Sequence, residues 1–211
     1  MKNKKENALF IQRAIAFLID SMIILIVATV ISIPFYDNEN IEKLNDSGNE
    51  LAEKYVDKKI DTNTYIVEMI DINYEIAKKS GFVTIITLFL EVLYFVCYQF
   101  YKKVQTLCKK IMKIRVKDKD DNDLSMNQLI YRSMIINSVL VGMISIALVI
   151  FANKYVCFYG TVTMNLIQYL VVIISAIMIM FSRNSRGLHD IICNTKVVRD
   201  DVVKELETCE S

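Results

Sequence analysis

The sequence predicts an all-α membrane protein: a four-helix transmembrane bundle with a short cytoplasmic strand or hairpin and an extracytoplasmic helical insertion. The mean hydropathy is positive at +0.34, and hydrophobic residues make up 54% of the chain. Charged residues still account for 23%, but they collect in blocks between long neutral stretches. Four of these stretches approach the roughly 20 apolar residues that a helix needs to cross a bilayer. We expect all four to be helical, because a helix satisfies its own backbone in lipid.

The four predicted spans cover residues 14–35, 82–101, about 127–152 and 161–182. The first contains Asp20, the second contains Glu91, the third has Arg132 in its first turns, and the fourth carries no charge. The first span resembles a secretory signal at its basic start, but its apolar run is longer than a signal core and no A-x-A site follows. We therefore interpret it as a retained span of one membrane domain, 1–211.

Basic residues predict the orientation, since loops rich in Lys and Arg stay in the cytoplasm. The loop 102–126 holds seven lysines and one arginine, and the N-terminal residues are also basic. Segment 36–81 instead holds eleven carboxylates against six lysines. We expect a multi-pass protein of the cell membrane, with both termini, loop 102–126 and tail 183–211 in the cytoplasm. Segment 36–81 and the turn 153–160 then face outside.

The two polar segments have different patterns. The outer insertion 36–81 predicts two amphipathic helices, separated by a turn at 46–48, that lie on the membrane or on each other as a solvated cap. The cytoplasmic residues 111–116 alternate and are β-branched, so they predict a strand, and 118–123 predict the turn of a hairpin. The acidic residues of that turn lack the EF-hand spacing, and no metal site is expected.

Arg13 and Asp20 are seven residues apart, which is two helical turns and places both on one face of the first span. Asp20 then lies about 10 Å deeper than Arg13. Arg132 enters the third span from the same side to a similar depth, so we expect it to pair with Asp20. A carboxylate in lipid is costly unless it is satisfied. Either this pair is structural, or Asp20 is a cation or proton site with Arg13 and Arg132 as electrostatic partners.

Glu91 is predicted near the middle of the second span, where no cationic partner is expected. It is either a proton relay or a neutral carboxyl that takes hydrogen bonds from Gln99, Asn137 or Gln168. His189 beside Asp190 could be half of an acid–base pair. We favour a hydrogen-bonded cap of the last span, because no nucleophile, zinc or nucleotide motif accompanies it. No catalytic residue and no cofactor are predicted, so an enzyme is disfavoured.

Four stretches in order around the apolar spans resemble the RDD family of small bacterial membrane proteins. The matching segments are 13–20, which opens with Arg13 and ends with Asp20; 105–116, which begins Gln-Thr-Leu-Cys-Lys; 124–132; and 187–198. The resemblance implies that His189 and Asp190 also belong to the family motif. Glycine is usual in the family at Val104, Cys108 and Asn194. The resemblance implies a membrane fold and, weakly, transport.

The sequence therefore favours a small transporter or ion-translocating protein, linked to cations or protons, with Asp20 and Glu91 as its ion-binding or relay candidates. The alternative is a non-transporting scaffold or accessory subunit whose buried ion pairs are structural. Expected partners are the lipid bilayer, an unknown solute or ion, and further copies of the chain in a homo-oligomer, because four helices enclose little room. A net charge of +1 gives no reason to expect a nucleic acid.

Overall fold

The computed structural model describes residues 7–102, 105–120, 122–182 and 184–199. These residues are mostly helical, with one small two-stranded sheet. The helices, in chain order, are α1 (Phe10–Ser32), α2 (Asn38–Val56), α3 (Thr62–Lys79), α4 (Gly81–Val92), α5 (Gln99–Tyr101), α6 (Leu107–Ile111), α7 (Met126–Ile136), α8 (Val139–Phe151), α9 (Lys154–Phe181) and α10 (Leu188–Ile192). The strands are β1 (Ile114–Asp118) and β2 (Thr195–Arg199).

Three helical stretches within the described residues are long and apolar enough to cross a membrane: Phe10–Phe35, Gly81–Tyr101 and Lys154–Phe181. In an 18-residue apolar section of each stretch, only 22%, 11% and 17% is buried inside the protein, in chain order. Most of the apolar side chains therefore face outwards. Apolar surface exposed on this scale marks a surface that is covered by lipid or by a partner.

The third predicted span is not one continuous helix. It consists of α7 and α8, which meet at a bend of 66°, and with that pair counted as one span the total is four. Ser138 between them has a left-handed backbone with φ of 57°. The bend removes helical partners from nearby backbone groups, and Gln168 of α9 supplies one by donating to the Ile135 carbonyl at 2.9 Å. A side chain from a neighbouring helix thus makes the break tolerable.

The stretch Gly81–Tyr101 is also irregular, because α4 and α5 are joined by a π-helical segment, Leu93–Tyr98. A π-helical turn inside a helix is uncommon and often lies at a functional site. Here the segment turns Tyr94 towards α1 and buries Phe95 inside the bundle.

Helices α2 and α3 form an antiparallel hairpin that packs on itself and against α9. Tyr55 stacks on Tyr65 across the hairpin, with ring centroids 4.5 Å apart, and Asp71 pairs with Lys154 at 2.5 Å. The turn expected at 46–48 is wrong, because α2 continues through it. The chain reverses instead at residues 57–61, where Lys58 has φ of 57° and Asp61 caps α3.

The hairpin predicted around 118–123 is also wrong in its pairing. β1 does not fold back on a local strand but pairs antiparallel with β2, with Val116 opposite Val197 and Asp118 opposite Thr195. The segment before α1 joins them, since Ala8 donates to the Val197 carbonyl at 3.0 Å. Asn194 has φ of 52° at the turn before β2. Asparagine tolerates that left-handed conformation better than most residues.

The most tightly buried apolar core lies beneath this sheet, at the end of the molecule away from the α2–α3 hairpin. It combines residues from the chain start, α1, α6, the strands and α7: Ala8, Ala16, Cys108, Ile114, Val116, Leu124, Leu129 and Val197. The sheet and α6 thereby fix the ends of α1 and α7, which carry the arginines described next.

Candidate functional site

Asp190 is the centre of a buried polar cluster, which we call the Asp190 centre and define by Arg13, Arg132, His189, Asp190 and Thr195. The Asp190 side chain is completely buried. Arg13 donates to one of its carboxylate oxygens at 3.1 Å, and Arg132 donates to the other. Two cations and one carboxylate thus join α1 and α7 to the segment that precedes β2.

The rest of the cluster fixes the two guanidinium groups. Arg132 also donates to Thr195 Oγ1 at 2.8 Å, and Arg13 donates to the Val197 carbonyl at 3.0 Å. The Gly187 N–H donates to Asp190 at 3.1 Å. A side chain at Gly187 would collide with Ser175 Oγ, which explains why glycine suits this position. Charge-assisted hydrogen bonds of this kind are roughly twice as strong as neutral ones.

His189 is neutral in this arrangement. Its Nε2 lies 3.1 Å from Arg132 Nη2, and a guanidinium can only donate, so Nε2 is the acceptor. The proton is therefore on Nδ1, which donates to Ser175 Oγ at 2.6 Å. Burial, reinforced by the charge of Arg132, lowers the pKa of His189 to about 3. Burial alone would raise the pKa of Asp190, but the charge of Arg132 above all holds it well below its usual value.

These pKa directions predict that acid weakens the fold. In the unfolded chain His189 takes up a proton near pH 6.5, whereas in the folded chain it stays neutral to about 3. The unfolded state binds more protons between these values, so the free energy of unfolding falls as the pH falls below 6.5. We expect a loss of about 1 kcal/mol between pH 7 and pH 5.5, measured as thermal unfolding in detergent. His189→Gln should flatten this dependence, and an unchanged slope in that variant would contradict the assignment.

The predicted pairing of Asp20 with Arg132 is wrong, as is its pairing with Arg13, because both arginines bind Asp190. Asp20 is fully buried, yet it is satisfied by neutral donors. Tyr94 and Thr106 each donate a hydroxyl to it at 2.5 Å, and the Cys108 N–H donates at 3.3 Å. The carboxylate therefore attaches the start of α6 to the middle of α1.

His189 also does not cap the last long helix. That helix, α9, ends with Ser182 as its cap. His189 lies in α10, and its ring contacts Ser175 inside α9, away from the end of that helix. Its hydrogen bonds instead connect α9 to Arg132 of α7.

Glu91 lies apart from both carboxylates. It is half-buried and lines a cavity of about 290 Å³ with Ser21, Thr87, Asn137 and Ser138 among its neighbours. Within the described ranges no group donates a hydrogen bond to it. Of the three amides expected to help it, Gln168 binds the Ile135 carbonyl and Asn137 donates to Ser133 Oγ. Glu91 therefore faces the bend between α7 and α8, and its carboxyl group has no partner in the part of the chain that the structure describes.

A second cavity, of about 300 Å³, adjoins the first and extends to the Asp190 centre. The two share four lining residues: Phe17, Phe95, Ile136 and Asn137. Its polar lining includes Arg13, Asp20, Arg132 and His189. A chain of cavities thus leads from the charged cluster, past Asp20, to Glu91.

Several residues of this region were missed as site candidates. Thr106 and Lys109 both fall in the Gln-Thr-Leu-Cys-Lys segment, so the family resemblance contained a signal for them. Tyr94 and Ser175 had no such signal, since each is one polar side chain in an apolar helix. Among the described residues there is no group of three or more Cys, His, Asp or Glu placed to hold a metal ion.

Comparison with known proteins supports the family resemblance. No curated protein and no solved structure matches the chain. The sequence model of the RDD family, in contrast, matches residues 7–194, which include Arg13, Asp20, Arg132 and Asp190. The chain therefore belongs to the RDD family.

Proposed function

We propose that this protein is a small transporter or ion-translocating protein of the cell membrane, linked to cations or protons, and not an enzyme. Its four spans are the three long apolar stretches and the bent pair α7–α8. The sheet end, with both termini, lies in the cytoplasm, and the α2–α3 hairpin lies outside. The concentration of Lys and Arg in 102–126 and the acidic character of 36–81 support this orientation.

The observation that carries the proposal is Glu91 facing the break between α7 and α8. Broken helices at membrane depth are tolerated where they line a cavity, and in transporters they form ion and substrate sites. Ser21, Thr87 and Asn137 line the same cavity, and their side chains carry oxygen atoms of the kind that hard cations accept as ligands. An unpaired acidic group in a membrane segment is by default a functional candidate.

Asp20 is the second candidate, as a relay between the Asp190 centre and Glu91. Two of its three donors are hydroxyl groups, which can accept and pass on a proton, and it lines the cavity that adjoins the Glu91 cavity. Arg13 and Arg132 line that cavity too, but their side chains donate hydrogen bonds to Asp190 and not to Asp20. We also propose that the protein works as a homo-oligomer, since the two cavities together offer little room for a large solute.

Flux in proteoliposomes tests the proposal. The full-length protein is reconstituted with a pH-sensitive dye inside the vesicles, and proton movement is followed after a pulse of Na⁺ or K⁺. Glu91→Gln should reduce the rate at least about tenfold, because the amide cannot hold a proton or a cation charge. Glu75→Gln, which removes an exposed carboxylate of α3, is the matched control. Wild-type rates in Glu91→Gln would eliminate Glu91 from the mechanism.

One observation favours the alternative, a scaffold or accessory subunit. The Asp190 centre satisfies both carboxylate oxygens and connects α1, α7, α10 and β2, which is what a structural ion pair requires. No movement of any ion in the reconstituted wild type, with the protein folded, would favour this alternative.

A further inference from the structure

The cavity next to the Asp190 centre has a charged end and an apolar end. Its volume of about 300 Å³ reaches the lower limit of ordinary ligand pockets. The charged end holds Arg13, Lys109, Arg132 and Asp20, and it also holds Gln99. The apolar walls come mainly from Phe10, Phe17, Leu18, Val172, Ala176 and Ile179.

The cations at the charged end outnumber the carboxylates. Arg13 and Arg132 share one carboxylate, Asp190, which lies behind them. Lys109 is half-buried, and the only hydrogen bond of its ammonium group within the described residues goes to the neutral Gln99 Oε1 at 3.2 Å. Burial and the charge of Arg132 lower the pKa of Lys109 to about 7, which is the sign of an ammonium group without enough negative charge around it.

Gln99 provides a second donor that lacks an acceptor. Its side chain is 2% exposed, and its Nε2 atom has no hydrogen-bond partner among the described residues. When Lys109 is protonated, the amide keeps this orientation, because an ammonium group only donates and needs the Gln99 oxygen. A buried amide N–H without a partner is destabilising, so an acceptor at this point would remove that cost.

Residues of α1 and α9 supply most of the cavity's apolar lining. Four polar residues of its lining are deeply buried, since Gln99, Ser133, Ser175 and His189 are all at most 5% exposed. The lining residue with the greatest exposure is Leu18, at 58%, on the outer face of α1. In the membrane orientation proposed above, this face contacts acyl chains, so the opening leads into the bilayer and not into water.

We propose that this cavity binds a single-headed anionic amphiphile from the bilayer, with the chemistry of a fatty acid. Its carboxylate accepts hydrogen bonds from Lys109 Nζ and Gln99 Nε2, and its chain lies along Phe17 and Val172 and leaves beside Leu18. The proposal depends on the membrane placement, but not on ion translocation. A ligand here would occupy the cavity that adjoins Glu91 and could regulate access to it.

Native mass spectrometry of the full-length protein from detergent micelles tests the proposal, with oleate and the uncharged oleyl alcohol as probes. We expect one oleate per chain and at least about tenfold weaker binding of oleyl alcohol, because charge-assisted hydrogen bonds supply the difference. Lys109→Gln should weaken oleate binding by a similar factor. Lys110→Gln, which alters an exposed lysine on the same short helix, should leave it unchanged.

Gln99→Glu keeps the test decisive if Lys109→Gln fails to fold. The new carboxylate pairs with Lys109 and repels the ligand, so oleate binding should be lost while oleyl alcohol binding persists. Equal binding of oleate and oleyl alcohol, or wild-type affinity in both variants, would overturn the proposal. Displacement of oleate by acetate at the same concentration would overturn it as well, since the site would then take a free anion. None of these results depends on the flux measurement.

Discussion

Replacing Asp190 with Asn should lower the free energy of unfolding by about 3–5 kcal/mol, the cost of breaking a buried ion pair by removing one partner. Asp190 is completely buried, and the two guanidinium groups on either side of it are at most one-tenth exposed. The amide removes the negative charge between Arg13 and Arg132 and leaves two buried cations close together. Like charges in a partly dry site repel each other strongly.

Chemical or thermal unfolding in detergent measures this effect. Glu39→Gln is the control, because its pair with Lys43 is exposed on both sides and should contribute only about 0.3–0.5 kcal/mol. Double-mutant cycles add a sharper test. Asp190→Asn and Arg132→Gln should be strongly coupled, whereas Asp20→Asn and Arg132→Gln should add independently, because those two side chains do not bind each other. A loss below 1 kcal/mol in Asp190→Asn, or coupling in the second cycle, would contradict the structure.

Replacing Asp20 with Ala should release α6 from α1 and destabilise the protein by several kcal/mol, about 1–3 for each buried donor left without an acceptor. Three donors are affected: the Tyr94 and Thr106 hydroxyls and the Cys108 N–H. Thr106 is also the cap of α6, since its hydroxyl accepts from the Lys109 N–H at 3.4 Å. Its position therefore affects both the bond to Asp20 and the start of α6. We expect the structure to open first at Leu107–Ile111, and not across the whole bundle.

Hydrogen exchange followed by mass spectrometry can separate the local from the global effect. In Asp20→Ala, we expect faster exchange at Leu107–Ile111 and along the adjoining β1, with α9 little changed. Tyr94→Phe is the matched control, since it removes one donor and leaves Asp20 with the other two. Unaltered protection of Leu107–Ile111 in Asp20→Ala would show that the carboxylate does not hold this segment.

Some of the site could be predicted from the sequence because the signal is local. Asp20, Glu91 and Arg132 are conspicuous as single charges in apolar runs, and the ordered motifs identified the family. The pairing could not be predicted. By charge alone, Asp20 and Asp190 are equally good partners for Arg13 and Arg132. The choice between them depends on where α10 places the Asp190 carboxylate. Arg13 and Asp190 are 177 residues apart, and no pattern in the sequence encodes their contact.

The same reasoning explains two of the three differences in the fold. The alternating residues before 118 correctly indicated a strand, but a strand pattern does not specify its partner, and β2 lies about eighty residues later in the chain. Residues 127–152 are apolar enough for one span, and the polar pair Asn137–Ser138 in the middle does not by itself indicate a bend of 66°. The bend depends on a left-handed Ser138 and on Gln168 of another helix.

By itself, the amino-acid sequence determined that this chain forms apolar helices with a few isolated charges, since hydropathy and helix periodicity are properties of neighbouring residues. The tertiary structure alone decided which charge meets which, that Glu91 faces a break where none of the described residues donates to its carboxyl group, and that Lys109 and Gln99 line one cavity. The physical reason is that these relations depend on the distances between helices. Those distances arise from packing the whole chain, and no short segment contains them.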